Sequence, residues 1–231
     1  MEVRSLYTEI ALDLENQINN DEIKEGQKLP SERELSIKHG VSRNVVREAI
    51  SVLREKGLVK VHAGKGAYAT KPNPIMITDS LERVMMHHNT SIEEILEVRE
   101  ELEKVIIKKV IRAATEEDIE QMYAIYQLME EKKRNIEEFT KLDIELHKIF
   151  AKSTNNPIYQ LLLNSFIDMT QKVLFQITIM FPKSIKIAQE QHLGLIQAIE
   201  ERNEQTAEEL IIAHMGIIRS EIKTLRKENL I

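Results

Sequence analysis

Apolar residues recur at helical spacing along most of the chain and at alternate positions in one short stretch. In residues 6–19 they recur every four residues, which predicts a first helix. Two further helices are predicted over 31–40 and 42–57, and 58–70 alternates like two strands around a turn at 63–66. Three helices followed by a hairpin is the order of a winged helix-turn-helix.

Polar residues and glycines mark the ends of these helices. Ser31 is followed by Glu34 at the spacing of a capping box, and Ser42 can cap the third helix. Gly40 and Gly57 stand where the second and third helices should stop. The capping signals therefore agree with the elements that the apolar pattern predicts.

From about residue 78 the apolar spacing stays helical to the end of the sequence, with no convincing alternation of the strand type. The predicted helices are 78–88, 91–113, 116–134, 136–152, 156–180, 183–202 and 204–228. Two prolines in the segment KPNP, residues 71–74, are typical of a linker. We therefore predict a mainly α chain. A winged helix-turn-helix over 1–71 is joined by a linker, 72–77, to an all-α antiparallel helical bundle over 78–231.

Composition narrows the class of protein. The chain has 231 residues, 42% of them hydrophobic, and no cysteine, which argues against disorder, disulfide scaffolds, thiolate metal sites and thiol nucleophiles. Its first residues carry charges where a secretory signal needs an apolar core. The longest weakly charged apolar segment, 173–181, is far shorter than the roughly 20 residues of a membrane helix. We expect a cytoplasmic protein.

The distribution of charge matters more than its sum. The formal net charge is −6, yet residues 33–66 hold eight basic and three acidic side chains, a local excess of 8 − 3 = +5. A basic patch on an acidic protein can bind a phosphate backbone while the rest of the molecule is repelled from it.

The third predicted helix would carry most of the DNA contacts, because it is the second helix of the helix-turn-helix motif. That helix places its N-terminal residues against base edges, where arginine can bond guanine and asparagine can bond adenine. The glycine turn of the hairpin would form a wing. The candidate DNA-binding residues are Arg33, Ser42, Arg43, Asn44, Arg47, Gly64 and Lys65. The alternative is a set of ordinary solvated charges, which the spacing of the whole set disfavours.

Four polar residues lie on apolar stripes of the C-terminal part. Asp143 and His147 are four apart and share one helix face, and His192 and His214 are each followed by apolar residues at three and four positions. Buried carboxylates and imidazoles need partners, and one divalent cation could serve all four. Oxygen and nitrogen ligands suit zinc, nickel, manganese or iron. The alternative is that each histidine is a core residue hydrogen-bonded to a neighbour.

Arg99 is a third candidate, because it lies on the apolar face of its predicted helix. An inward guanidinium can bind a ligand carboxylate through paired hydrogen bonds. The alternative is an ion pair with an internal glutamate or aspartate. Two mid-helix amides, Asn164 and Gln171, could line the cavity that holds the ligand bound by Arg99.

Residues 6–70 contain three specific runs, LPSEREL, VSRNVVREA and LREKGLV. With these runs the N-terminal part resembles the DNA-binding domain of the GntR family of bacterial transcription regulators. The resemblance implies a homodimer on a palindromic operator. Positions that match the family's DNA-contacting arginines and wing glycine are Arg33, Arg43, Arg47 and Gly64. Asn44 stands at a position that varies within the family, so its base preference stays open.

The helical part is similar to the FCD effector domain of the FadR-type branch of that family. Many members carry an aspartate, a histidine four residues later and two more histidines on the last two helices. The residues that match this metal-binding set are Asp143, His147, His192 and His214. The resemblance also implies that Arg99 lines an effector cavity and that the effector is a small organic acid.

We therefore interpret the sequence as a homodimeric repressor whose affinity for double-stranded operator DNA changes when a small carboxylate binds at a divalent metal site. One alternative is a metal-responsive regulator without an organic effector. Another is a metal-dependent enzyme, for which no general base or acid stands out on the helical stripes. We expect no catalytic residue and no membrane partner.

Overall fold

The computed structural model describes residues 5–71 and 75–228. Within these ranges it has ten helices and one two-stranded sheet, so the predicted mainly α class is confirmed. The elements are α1 Leu6–Asn19, α2 Glu32–His39, α3 Arg43–Glu55, β1 Val59–His62, β2 Gly66–Ala69, α4 Ile75–His87, α5 Ile92–Ala113, α6 Glu116–Lys132, α7 Ile136–Lys152, α8 Pro157–Met180, α9 Ser184–Glu200 and α10 Glu204–Lys227. The chain divides between Met76 and Ile77 into two compact units.

The N-terminal unit packs α1 and α2 against α3. The apolar stripe of α1 and that of α3 bury Leu14, Val46 and Leu53 almost completely, and Leu35 of α2 joins them. Burying a side chain of this kind is worth about 1.5–3 kcal/mol, so this core holds the three helices in a fixed arrangement.

Capping residues and turns mark the beginnings and ends of the helices and strands of this unit, as the sequence predicts. The hydroxyl of Ser31 accepts a hydrogen bond from the backbone N–H of Glu34, whose carboxylate in turn accepts from the N–H of Ser31. Gly40 adopts a left-handed conformation, φ +64°, which ends α2 at little steric cost. Strands β1 and β2 pair antiparallel, with Val59 opposite Ala69, and form the predicted hairpin.

The C-terminal unit is a bundle of long helices. Connections of only three residues join α6 to α7 and α9 to α10, and each of these pairs packs extensively, as antiparallel neighbours do. Its core includes Met122, Phe150 and Ile196, with 0%, 1% and 0% of their surface exposed. Helix α5 packs on α7, α9 and α10, and α9 packs on α10, so side chains of these four helices can meet inside the bundle.

The predicted helix limits agree with the structure within a few residues. Helix α4 begins at Ile75 rather than at 78, so residues 75–77 of the predicted linker are helical. The rest of that linker, 72–74, lies outside the described residues. Helix α6 ends at Lys132 rather than 134, because Asn135 caps α7 directly after it.

None of the helices in the described parts of the chain is both long enough and apolar enough to cross a bilayer.

Candidate functional site

The four residues of the predicted metal set come together inside the C-terminal unit. One ligand atom from each of Asp143, His147, His192 and His214 lies within 4.8 Å of those of the other three. The ring centroids of His192 and His214 are 4.6 Å apart, and that of His147 lies 5.2 Å from His214. Helix α7 supplies the first two residues, α9 the third and α10 the fourth. We call these four residues the histidine cluster.

Each imidazole of the histidine cluster is held through Nδ1. A carboxylate oxygen of Glu103 bonds Nδ1 of His147, and the side-chain oxygens of Gln189 and Gln191 lie 3.2 Å from Nδ1 of His192 and His214. Because these oxygens only accept, each Nδ1 carries the proton. The opposite nitrogen, Nε2, is then left as the atom that can bind something else.

The three Nε2 atoms are buried and make no hydrogen bond within the described part of the chain. Oδ1 of Asp143 lies 3.3 Å from Nε2 of His192, without hydrogen-bond geometry. A buried polar atom without a partner costs free energy, and native proteins have few of them. Three such nitrogens that converge beside a carboxylate fit a divalent cation in both donor type and number.

The protonation states of two histidines suit this role. Burial, together with the charge of His147, lowers the pKa of His192 to about 3. Burial and the neighbouring histidines lower the pKa of His214 well below its ordinary value. Both rings are therefore neutral near pH 7, which is the form that ligates a metal.

His147 differs because a carboxylate faces it. Burial lowers the pKa of His147, but the charge of Glu103, the hydrogen bond to it and the charge of Asp143 together outweigh burial and raise this pKa above the ordinary value. Burial raises the pKa of Glu103, and the charges of His147 and Arg99 outweigh that effect and hold it below its usual range. Metal binding at Nε2 of His147 would thus displace a proton.

Arg99 of α5 contacts the carboxylate of Glu103, which also bonds His147. Its Nε donates to the carboxylate of Glu103 at 2.6 Å, and another guanidinium nitrogen donates to the hydroxyl of Thr170 at 3.2 Å. Only 1% of Arg99 is exposed. The internal ion pair that we considered as the alternative role of Arg99 is therefore present, and its predicted contact with an effector carboxylate stays a prediction.

A cavity of about 60 Å³ adjoins the histidine cluster. Asp143 and His214 are part of its wall, and most of the remaining wall is apolar, including Leu174 and Ile177 of α8. Arg99 is not among the described residues that line it. Asn164 lines a different surface groove, and Gln171 is exposed. The expectation that these two amides line the cavity is therefore wrong.

Each of the predicted DNA-contacting residues is exposed on the helix-turn-helix or the hairpin of the N-terminal unit. Ser42 caps α3 by accepting from the N–H of Val45 at 3.5 Å. Arg47 donates to Glu32 at 2.7 Å, and both are partly exposed to solvent. The full set of exposed candidates is Arg33, Ser42, Arg43, Asn44, Arg47, Gly64 and Lys65.

The wing turn depends on its glycines. Gly64 has φ +71° and Gly66 has φ +103°, conformations that other residues adopt only with strain. A β-carbon at Gly66 would also lie 2.9 Å from Cε of Lys28. These positions keep Lys65 at the exposed tip of the hairpin.

Sequence reasoning missed the residues that orient the histidines. Glu103 stands four residues after Arg99, the spacing of a helical ion pair, and this signal was visible. The roles of Gln189 and Gln191 had no signal of that kind, because amides beside a histidine are common on helix surfaces. Glu221 and Ser184, which also line the cavity, were missed as well.

Two family comparisons cover most of the chain. Residues 94–216 match the FCD domain, and residues 6–68 match the bacterial regulatory proteins of the gntR family. The first match alone spans more than half of the 231 residues.

Individual relatives are similar over nearly the whole chain. Identity to the HTH-type transcriptional repressor NanR of Cronobacter sakazakii is 26% over 212 residues, which are 89% of this chain and 81% of that protein. Identity to NanR of Escherichia coli K12 is 25% over 210 residues, with 89% and 80% covered. Both relatives are named as transcriptional repressors.

Solved structures share the fold. Streptococcus agalactiae GntR superposes with a TM-score of 0.69 at 22% identity, over 93% of this chain and 99% of that one. E. coli McbR/YncC gives a TM-score of 0.51 at 16% identity, over 98% and 100%. At these identities the likeness establishes the fold alone.

Proposed function

The chain belongs to the GntR family of bacterial regulatory proteins and carries an FCD domain, and we propose on this basis that it is a transcription repressor. It binds operator DNA as a homodimer through its N-terminal unit. A small carboxylate and a divalent metal bind in the C-terminal unit and change its affinity for the operator. The similarity to two repressors over about nine tenths of the chain supports this role.

Three buried Nε2 atoms converge beside Asp143, and this arrangement is the main support for a metal in the proposed function. Their Nδ1 partners fix the tautomer of each ring, as the residues around protein metal sites do. A metal bound there supplies open coordination positions for a carboxylate oxygen. The adjoining cavity, whose wall includes Asp143 and His214, gives that carboxylate a place to bind.

DNA binding is assigned to the exposed basic face of the winged helix-turn-helix. Arg43 and Asn44 stand at the start of α3, where a recognition helix meets base edges. Arg33 and Arg47 flank them, and Lys65 adds charge at the wing. Arg47 exchanges its contact with Glu32 for a phosphate or a base when DNA binds.

The response to effector follows from differential binding. A carboxylate in the cavity contacts residues of both α7 and α10, so it favours the arrangement of helices that fits it. Operator affinity falls if that arrangement holds the two DNA-binding units of the dimer at a spacing that no longer matches the half-sites.

Arg99 has two parts in this proposal. It compensates the charge of buried Glu103, and it is the predicted contact of the effector carboxylate. The bonds to Glu103 and Thr170 use two of the five N–H donors of a guanidinium. Because Arg99 is not among the described residues that line the cavity, the remaining donors reach the carboxylate only if the cavity opens towards α5 when the ligand binds.

We favour regulation over catalysis, because the relatives are transcriptional regulators and the fusion to a DNA-binding domain suits a sensor. A repressor of this kind acts in the cytoplasm, where the operator is. A regulator that responds to metal alone is the second candidate, and the histidine cluster by itself is compatible with it.

Elemental analysis of the purified protein, combined with thermal unfolding in a panel of small carboxylates before and after chelation, tests the proposal. We expect one metal per chain, and stabilisation by particular acids only while the metal is present. Those acids should also change the affinity for duplexes that the protein selects from a random DNA library. Selective stabilisation by metal with no effect of any acid would favour the second candidate, and absence of DNA binding would contradict both.

A further inference from the structure

The cavity beside the histidine cluster has a second polar group that the proposed function does not use. Glu221 of α10 lines its wall and is 8% exposed, and the hydroxyl of Ser184, the first residue of α9, donates to its carboxylate. Between Glu221 and the histidine cluster the wall is mainly apolar, with Ile217 and Ile218 on the same helix.

Helix geometry sets the separation of the two polar ends. His214 and Glu221 are seven residues apart on α10, which places them on one face about 10 Å apart along the axis. Both residues line the same cavity, so a ligand between them spans a gap of this order. The cavity volume of about 60 Å³ holds roughly four to six water-sized groups, which corresponds to a compact ligand.

The charged side chains that line the cavity are acidic. Asp143 and Glu221 are acidic, and none of the described residues that line the cavity is lysine or arginine. A metal at the histidine cluster would compensate Asp143, whereas the hydrogen bond to Glu221 from the described residues comes from the neutral hydroxyl of Ser184. Burial accordingly raises the pKa of Glu221, and the hydrogen bond from Ser184 offsets this only in part. A buried carboxylate of this kind favours a cationic partner.

We propose that the effector is a small carboxylate with an ammonium group at its other end, and that Glu221 binds the ammonium while the carboxylate lies at the histidine cluster. This inference rests on the proposed function and names the class of ligand within it. Glu221 is then the residue that distinguishes such amino acids from plain or hydroxylated acids of the same length.

Matched acids test the assignment. Isothermal titration of the full-length protein, loaded with one equivalent of Zn²⁺ or Ni²⁺, would compare 4-aminobutanoate, 4-hydroxybutanoate and butanoate, with 3-aminopropanoate and 5-aminopentanoate to vary the span. We expect the amino acid of matching length to bind roughly tenfold to hundredfold more tightly than butanoate, as a charged hydrogen bond contributes. In Glu221→Gln this preference should disappear while affinity for butanoate stays within about twofold.

Two variants control the result. Glu209→Gln makes the same charge change at an exposed position of α10 and should keep the preference. Glu221→Asp keeps the charge on a side chain shorter by one methylene, and should shift the preference towards the longer amino acid even if Glu221→Gln folds poorly.

Three outcomes would overturn the inference. Equal affinity for the amino and hydroxy acids, or a preference that survives in Glu221→Gln, would remove Glu221 as the ammonium partner and leave the carboxylate site intact. If metal-loaded protein binds none of the acids, the carboxylate site of the proposed function fails, and this inference fails with it.

Discussion

Glu103 and His147 lie 44 residues apart on α5 and α7, and a carboxylate oxygen of Glu103 bonds Nδ1 of the imidazole. The other carboxylate oxygen accepts from Nε of Arg99 at 2.6 Å. The imidazole is therefore held with Nε2 free beside the other two histidines. A carboxylate on the second nitrogen of a metal-binding histidine fixes the ring and makes it a stronger ligand.

Glu103→Gln should weaken metal affinity about tenfold to hundredfold, because the neutral amide orients His147 without raising its basicity. Competition with a chelator of known affinity would measure the change. Glu101→Gln is a matched control, since Glu101 is exposed on the same helix and pairs with Lys104. Equal metal affinity in wild type and Glu103→Gln would show that Glu103 serves the structure and not the metal.

Replacing His192 and His214 together with alanine should abolish metal retention. The double variant loses two of the three converging Nε2 atoms, and Asp143 and His147 alone make a weak site for a divalent cation. Elemental analysis after gel filtration gives the result. Alanine at His87 and His88, which are exposed in the same unit, is the control and should leave metal content unchanged. A fully metallated His192→Ala/His214→Ala protein would refute the site.

The histidine cluster could be predicted because each member lies on an apolar stripe at helical period, and such a stripe faces the core of any bundle. Asp143 and His147 were one turn apart, so their proximity was local. That His192 and His214 meet them depends on how α9 and α10 pack. The need of buried polar groups for partners made a shared cation one of two interpretations, and the family resemblance favoured it over separate core histidines.

Contacts between distant helices could not be predicted from local pattern. Glu103 had a visible partner in Arg99, yet the contact with His147 requires α5 to lie against α7. The pairing of Ser184 with Glu221 spans 37 residues and likewise depends on packing. Helix limits were accurate where the capping residue was recognised in the sequence, as at Ser31, and shifted where it was not, as at Lys132, which lies three residues before the unrecognised cap Asn135.

Arg99→Met should lower the free energy of unfolding by up to about 3–5 kcal/mol, because it removes one of the two groups, Arg99 and His147, that compensate the buried carboxylate of Glu103. Urea unfolding followed by circular dichroism would measure it. The double variant Arg99→Met/Glu103→Gln should lose less stability than the single variant, since a neutral amide needs no counter-charge. If Arg99→Met is as stable as wild type but no longer responds to acids, Arg99 acts on the ligand alone.

Arg43→Ala should cost about 1–3 kcal/mol of specific DNA binding and relax the choice of base at one position. Arg43 is exposed at the start of α3, and the described residues offer it no hydrogen bond or ion pair, so its guanidinium is available. Fluorescence anisotropy with selected and mutated duplexes would separate specific from general affinity. Arg54→Ala, near the other end of α3, should leave base preference unchanged. A specificity that persists in Arg43→Ala would exclude Arg43 from base recognition.

Glu221 should make the protein without metal or ligand less stable as pH rises. Burial raises its pKa, and the hydrogen bond from Ser184 offsets only part of this, so the folded protein holds the proton more tightly than the unfolded chain. Ionisation therefore costs folding free energy. The cost is absent below the unfolded pKa of about 4.3, grows above it, and is complete above the folded pKa.

Glu221→Gln should thus raise the free energy of unfolding at about pH 7.5 and leave it unchanged at about pH 4, because both states of the wild type are then largely protonated. Urea unfolding in the presence of a chelator, at several pH values, would measure the difference. Glu209→Gln removes the same charge from an exposed site and should show no such pH dependence. A stability gain that is equal at both pH values would mean that the amide packs better, and that the buried charge is not the cause.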